Sequence, residues 1–373
     1  MQQLYRAFLG AAALFGVALL VVLLPGVNVA PGPLVVAFFM CLAIGSRGSR
    51  ILKDFAFTIW IFAGVSAAMF YPQYFLTVGD FRLSRLIVPL IQVIMFGMGT
   101  AMSLADFTNV VKMPRAVLVG IVCQFSIMPL LGFTLATLFG FPDEIAAGVV
   151  LIGAAPGGVA SNVMAYIAGA SVPLSVTLTT CSTLLSPVMT PLAMKLLAGQ
   201  FVPVNFIDMM MGIIQMIIVP LAGGLLFNRI FRGRAPWLHR AMPLVSMTGI
   251  AVILTIITAT GRDALLAVGA VLILAAMIHN GMGYFLGYWG ARFMRMDERA
   301  CRTIAIEVGM QNAGLASGIA LQMGKVATVG LAPAIFGPWM NISGSVLANY
   351  WRRTAEPVTV LEAAKDTGTP IGT

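Results

Sequence analysis

The feature that most constrains this chain is its succession of apolar runs, many close to twenty residues long, with short segments between them that hold almost all of the charge. About 20 consecutive apolar residues are what an α-helix needs to cross the hydrocarbon of a bilayer. Windows bounded by charges, Gly and Pro fall near 7–24, 29–45, 54–72, 84–103, 115–140, 145–168, 173–199, 205–228, 241–260, 264–291, 303–323 and 330–351. Pro31 and Pro33 shorten the second of them. Composition closes the other possibilities, because 60% of the residues are hydrophobic and only 9% charged. A soluble domain carries about 25% charged residues to face water, so soluble enzyme, nucleic-acid binder and disordered chain are all disfavoured. The expected class is an all-α polytopic membrane protein.

Charge placement sets the expected topology. The net charge of +9 comes from bases in short loops, which is a topology signal rather than a nucleic-acid footprint. With the spans alternating sides, Arg6, Arg47, Arg50, Lys53, Lys112, Arg115, Arg229, Arg232, Arg234, Arg240, Arg292, Arg295, Arg299, Arg302, Arg352, Arg353 and Lys365 share one side. These are 17 of the 22 bases, leaving Arg82, Arg85, Lys195, Arg262 and Lys325 for the other. The positive-inside rule then places both termini in the cytoplasm, expected to be that of a bacterium with the chain in its inner membrane. After the single base Arg6, the first apolar run of about 18 residues exceeds the roughly 7–15-residue core of a signal peptide. Two retained spans are therefore expected over a leader cleaved after Val27-Asn28-Val29-Ala30. Cys41, Cys123, Cys181 and Cys301 lie far apart in or beside apolar segments and suggest small hydrophobes, not a metal or disulfide framework.

Landmarks recur at nearly one offset. Pro89 and Pro243 are 243 − 89 = 154 residues apart, Asn162 and Asn312 are 150 apart, and Pro187 and Pro338 are 151 apart. This predicts two five-helix units, over about 51–200 and 201–353, preceded by a hydrophobic hairpin in 1–50 and followed by a disordered cytoplasmic tail in 354–373. Five is odd, so the second unit runs inverted. Inverted repeats mark secondary transporters, whose sites lie where corresponding segments are interrupted by Gly or Pro. Those segments are Gly153-Ala-Ala-Pro-Gly-Gly-Val-Ala-Ser-Asn162 and Glu307-Val-Gly-Met-Gln-Asn-Ala-Gly314.

Of the 13 acidic residues, Glu307 alone sits within an apolar run. A charge at a span centre costs roughly 2.5–3.5 kcal/mol on insertion scales and is a functional candidate by default. A cation-ligating carboxylate is the expected role, with Gln311 and Asn312 adding amide oxygens nearby; a packing role for a protonated or Arg302-paired Glu307 is the competing reading. Ser175 and Thr179 share one helix face in the run that also holds Thr177, Thr180, Ser182 and Thr183. Gln124 is an isolated amide in an apolar span, and His279-Asn280 reads as an interhelical hydrogen-bonding pair. No G-x-S-G, no paired intramembrane aspartates and no P-loop occur, so neither an enzyme nor an ATP-driven pump is expected.

Gly157-Gly-Val-Ala-Ser-Asn-Val-Met164, Ser175 to Thr180, Ser186-Pro187, Glu307-Val-Gly-Met-Gln-Asn312 and Asn341-Ile-Ser-Gly344 resemble the bile acid:sodium symporter family. The likeness covers about 54–353 and includes Met95-Phe-Gly-Met-Gly99 and Gln124-Phe-Ser-Ile-Met-Pro129. It implies a ten-helix inverted repeat with panel and core domains and two broken helices crossing in the core. One implied sodium site is Ser161, Asn162, Ser175, Thr179 and Glu307. The other is Gln124, Glu307, Gln311 and the carbonyls of Val308 and Met310. Asn312 and Asn162 would face the substrate, a small organic anion that is bile-acid-like or a 2-oxo or hydroxy acid such as pyruvate or pantoate. Sodium ions, expected to number two, and the lipid bilayer complete the implied partners, with no protein or nucleic acid among them. A proton-coupled or sodium-independent carrier or exporter of organic anions is the alternative. The hairpin in 1–50 departs from the ten-helix pattern.

Overall fold

In this computed structural model the described residues are 2–22, 30–49, 52–102, 112–231 and 236–354, with the side chains of Asp54, Pro236, His239, Arg240 and Pro243 set aside. The expected tail in 354–373 lies almost wholly outside them, as do Val27 to Val29 of the candidate cleavage site and the bases Arg50, Arg232, Arg234 and Lys365. The apolar runs fold as helices: α1 (Gln2–Val22), α2 (Gly32–Ser46), α3 (Ala56–Phe70), α4 (Ile87–Ala101), α5 (Pro114–Leu138), α6 (Asp143–Ala154), α7 (Ala160–Ile167) and α8 (Val172–Ala193). They continue as α9 (Phe206–Ile213), α10 (Val219–Phe231), α11 (Pro236–Thr260), α12 (Arg262–Phe293), α13 (Glu298–Gly309), α14 (Ala313–Gln322) and α15 (Leu331–Thr354). A π turn, Ile214–Ile218, joins α9 to α10, and another, Met194–Ala198, prolongs α8. Six helical stretches of the described residues are long and apolar enough to span a bilayer.

A two-residue hairpin, β1 (Thr77–Val78) with β2 (Phe81–Arg82), caps the α3–α4 connection, with Gly79 supplying the positive φ of 56° that its turn needs. The helices α1 and α2 pack on each other, and α2 packs on α3. α4 and α10 cross so closely that Gly99 lies against the Leu221 carbonyl and Gly224 against the Phe96 carbonyl, leaving no room for a Cβ. Small residues at such crossings let backbones approach where lipid offers no hydrophobic drive for association. The largest buried cluster joins α4, α6, α9, α11, α14 and α15 through Ile91, Leu151, Ile213, Ile253, Ile319 and Phe336. A second one, with Val117, Met128, Leu178 and Ile304, binds α5, α8, α12 and α13.

Two of the expected spans are discontinuous. The run 145–168 is split between α6 and α7, and 303–323 between α13 and α14. Pro156 lacks an N–H and Gly157-Gly158 hold helix poorly, so α6 ends with Ala155 extended at ψ 151°. α13 stops at Met310 (φ −112°, ψ 93°), and Asn312 starts α14 by accepting from the Leu315 amide at 3.0 Å. The two breaks satisfy each other. Gly158 N donates to the Met310 carbonyl and Asn312 N to the Pro156 carbonyl, each at 2.8 Å, around an antiparallel bridge between Gly157 and Gln311. Unsatisfied backbone in hydrocarbon costs several kcal/mol per group, so each break is tolerable because the other pairs with it. A Cβ on Gly158 would lie 2.9 Å from the Gln311 carbonyl oxygen, so this pairing depends on glycine.

Candidate functional site

Glu307, on the last turn of α13, is 4% exposed and points to the paired breaks. Ser161 Oγ, from α7, donates to its Oε1 at 2.6 Å. Ser175 Oγ, from α8, donates to the same oxygen, and Thr179 Oγ1, one turn on, donates to Oε2 at 2.9 Å. Asn162 Oδ1 stands 2.8 Å from Ser175 Oγ and 3.3 Å from Thr179 Oγ1. Arg302, the base nearest in sequence, is turned elsewhere, holding Glu298 Oε1 at 2.8 Å and the Trp351 carbonyl at 3.2 Å. Among the described residues no ion pair reaches Glu307.

Proton counting shows what this pocket wants. Three hydroxyls, on Ser161, Ser175 and Thr179, supply three protons. Within reach they face five acceptor oxygens: both of Glu307, Asn162 Oδ1, and the Gly158 and Ser175 carbonyls. A surplus of oxygen lone pairs around one buried carboxyl group is a donor set that a hard cation can take. Gly157 completes the pocket wall, since a Cβ there would lie 2.7 Å from Glu307 Oε2.

A second oxygen cluster flanks the breaks. Gln124 Nε2, on α5, donates to the Ala155 carbonyl at 2.9 Å and to Gln311 Oε1 at 2.5 Å. Gln311 Nε2 donates to the Val308 carbonyl at 2.5 Å. Gln124 Oε1 is buried without a partner among the described residues. Turning that amide over would set Oε1 against the Ala155 and Gln311 oxygens, an arrangement that only a cation makes favourable. Pro129, inside α5, removes the intrahelical donor of the Phe125 carbonyl, next to Gln124.

The sequence-derived residues distribute as follows. Ser161, Asn162, Ser175, Thr179 and Glu307 converge on one point, and Gln124, Gln311 and the Val308 carbonyl on another. The Met310 carbonyl is taken by Gly158 N. The hydrogen bonds of the Glu307 carboxylate go to the first group only, and none joins it to Gln124 or Gln311 among the described residues. Asn312 is 9% exposed and its Oδ1 serves α14, so its amide nitrogen is the group left for a ligand. Val159 and Val163, 43% and 56% exposed, give the first turn of α7 an apolar outer face.

Sequence reasoning passed over Ala155, whose carbonyl joins the second cluster, and Thr190, whose Oγ1 donates to the Ala154 carbonyl at 2.7 Å where α6 ends. It named Ser182 without a partner; the hydroxyl accepts from Gly157 N at 3.3 Å. The signal for Ser182 and Thr190 was present, because Ser175, Thr179, Ser182, Ser186 and Thr190 recur at three- and four-residue spacing and so line one face of α8.

Known proteins resemble this chain over most of its length. The model of the sodium bile acid symporter family matches residues 88–268. A Bacillus subtilis (strain 168) protein named "Uncharacterized sodium-dependent transporter YocS" is 39% identical over 308 residues, 82% of this chain and 94% of the relative. "Probable sodium/metabolite cotransporter BASS1, chloroplastic" of Arabidopsis thaliana is 32% identical over 300 residues, 80% of this chain and 74% of its own length. Its counterpart in Oryza sativa subsp. japonica is 31% identical, over 79% and 72% of the two chains. These relatives carry transporter names, and the family with the apolar helices makes this chain an integral membrane protein. Similarity to sodium-dependent transporters over four-fifths of its length thus joins a polytopic helical fold: the chain belongs to the sodium bile acid symporter family.

Proposed function

We propose that the protein is a sodium-coupled symporter of a small organic anion, working by alternating access with two sodium ions per cycle. The observation that carries this is Glu307, a buried carboxyl group with no basic partner among the described residues, ringed by more oxygens than protons. A cation resolves that imbalance. Ser161, Asn162, Ser175, Thr179 and Glu307 are assigned to one ion, and Gln124, Gln311 and the Val308 and Met310 carbonyls to the other, with Glu307 contributing charge to both.

The same reading treats 51–200 and 201–353 as inverted five-helix repeats, 1–50 as an added hairpin and 354–373 as a cytoplasmic tail. The matching interruptions between α6 and α7 and between α13 and α14 support it, and the excess of bases on one side supports cytoplasmic termini. α7 and α14 both start at the breaks, so their positive dipole ends favour an anion beside Asn162 and Asn312. A bile-acid-like molecule and a 2-oxo or hydroxy acid such as pyruvate or pantoate are the substrate classes to screen.

Two sodium ions with one monoanion move one net charge, about 2.3 kcal/mol at 100 mV. Two tenfold sodium gradients add about 2.8 kcal/mol at 1.4 kcal/mol per decade. Together, about 5 kcal/mol would concentrate the anion by three to four orders of magnitude.

The test is thermal stability of the purified protein in NaCl against KCl, for wild type and Glu307→Ala. A ligand binding only the folded state stabilises by mass action, about 2.7 kcal/mol at a hundredfold excess over its Kd. A sodium-specific rise in Tm that vanishes in the variant is expected. A wild type indifferent to sodium would reject symport and redirect attention to proton coupling.

A further inference from the structure

Three helices that bring groups to the second oxygen cluster, α5, α6 and α13, are all met by one dipeptide on a fourth, His279-Asn280 of α12. His279 Nε2 stands 3.0 Å from the Met128 carbonyl, one turn beyond Gln124 on α5. A carbonyl only accepts, so Nε2 carries the proton, and Nδ1 is buried with no partner among the described residues. The end of α6 closes on the same bond, since a Cβ on Gly153 would meet the Met128 carbonyl oxygen and lie 3.1 Å from His279 Nε2. Asn280 Nδ2 donates at 2.7 Å to the carbonyl of Gly309, the residue between Val308 and Met310. Asn280 is itself oriented from α15, where Ser343 Oγ donates to its Oδ1. His279 and Asn280 are 0% and 1% exposed. Their hydrogen bonds reach no group of the first cluster.

We infer that His279 and Asn280 are positioning residues for the second cation site, with Ser343 setting Asn280. The dyad holds the helix that carries Gln124 at a fixed height against the unwound end of α13. Its hydrogen bond takes the Gly309 carbonyl, between the Val308 carbonyl that Gln311 Nε2 reaches and the Met310 carbonyl that Gly158 N reaches. This rests on the two-ion reading above. It goes beyond that reading because neither residue is a ligand, and interhelical attachment alone gives no reason for it to alter ion affinity. Groups that orient ligands of a metal site typically change its affinity by about 10–100-fold when removed.

The experiment titrates NaCl against KCl at constant total salt and reads Tm for wild type, His279→Leu, His279→Gln, Asn280→Leu and Ser343→Ala. Tm in KCl alone reports lost packing; the sodium concentration at half-response and the steepness of the response report the site. His279→Leu and Asn280→Leu should raise the half-response concentration about 10–100-fold and flatten the curve toward that of one ion. His279→Gln, which restores a donor at the ε position, should return it near wild type, and Ser343→Ala should shift it as Asn280→Leu does. Leucine variants that are destabilised in KCl yet keep the wild-type sodium curve would overturn the inference, leaving the dyad as attachment only. Should they fail to fold, a wild-type sodium curve for Ser343→Ala would overturn it instead. A wild type without any sodium response would fail the underlying reading before a variant is made.

Discussion

A carboxylate buried without a basic partner is a liability unless something else neutralises it. Continuum and mutational experience alike make an unpaired buried charge strongly destabilising. Glu307→Gln should therefore raise Tm in potassium while abolishing the further rise in sodium, and a Tm in potassium below that of wild type would contradict the surplus-oxygen argument. Gly157→Ala tests the pocket wall. Gly157 has no positive φ, so alanine is acceptable to the backbone, but its Cβ would sit 2.7 Å from Glu307 Oε2. The carboxylate must then leave Thr179, and the half-response sodium concentration should rise at least tenfold, about the low end for a displaced ligand. An unchanged titration would show that Oε2 is not a ligand. At this level the sequence was highly legible: one acid in an apolar run and hydroxyls at i and i+4 are visible without coordinates. Ala155 was not, because its contribution is a main-chain carbonyl and any side chain carries one.

Elements that are broken need their ends held. At the start of α6, Glu144 pairs with Lys325 and accepts from Thr328, both in the connection from α14 to α15. Thus the outer ends of the two interrupted spans are tied to each other. The hydrogen bond from Lys325, then that from Thr328, holds the Glu144 carboxyl below the usual carboxylate range, against a smaller opposing effect of burial. A depressed folded pKa gives stability that is present above the unfolded value, near about 4.3, and is lost as the pH falls through the lower folded one. The stability advantage of wild type over Lys325→Met should accordingly be present at neutral pH and shrink on acidification through that range. The side chains are 29% and 39% exposed, so the advantage is about 1 kcal/mol at most. A difference that stays constant with pH would remove the pair from the account. Discontinuity itself was readable from Pro156, Gly157 and Gly158. The antiparallel pairing of the breaks was not, because it joins residues more than 150 positions apart and depends on how two helices pass each other.

Across the whole molecule, α1 and α2 stand apart from the elements that build the site. α1 packs on α2, α2 packs chiefly on α1 and α3, and Leu14, Val17 and Leu20 of α1 remain exposed as lipid-facing side chains would. Removing two spans preserves the parity of those that follow, and Lys53 stays beside α3 to orient it. A chain lacking residues 1–48 should therefore insert and retain the sodium-specific rise in Tm. Loss of that response from a folded, monodisperse truncation would mean that the hairpin acts on the site. Hydrophobic run length and the position of bases were enough to read membrane residence and helical class, and one misplaced acid to mark an ion-site candidate, because the bilayer permits few backbone solutions and penalises every stray charge. The family was legible only in motifs such as Gly157–Met164 and Glu307–Asn312. Which oxygens share a proton, which carbonyls the breaks consume and how a dipeptide on α12 reaches both α5 and α13 are properties of helix packing. They depend on distances between residues far apart in the chain, and local chemistry carries no record of those distances.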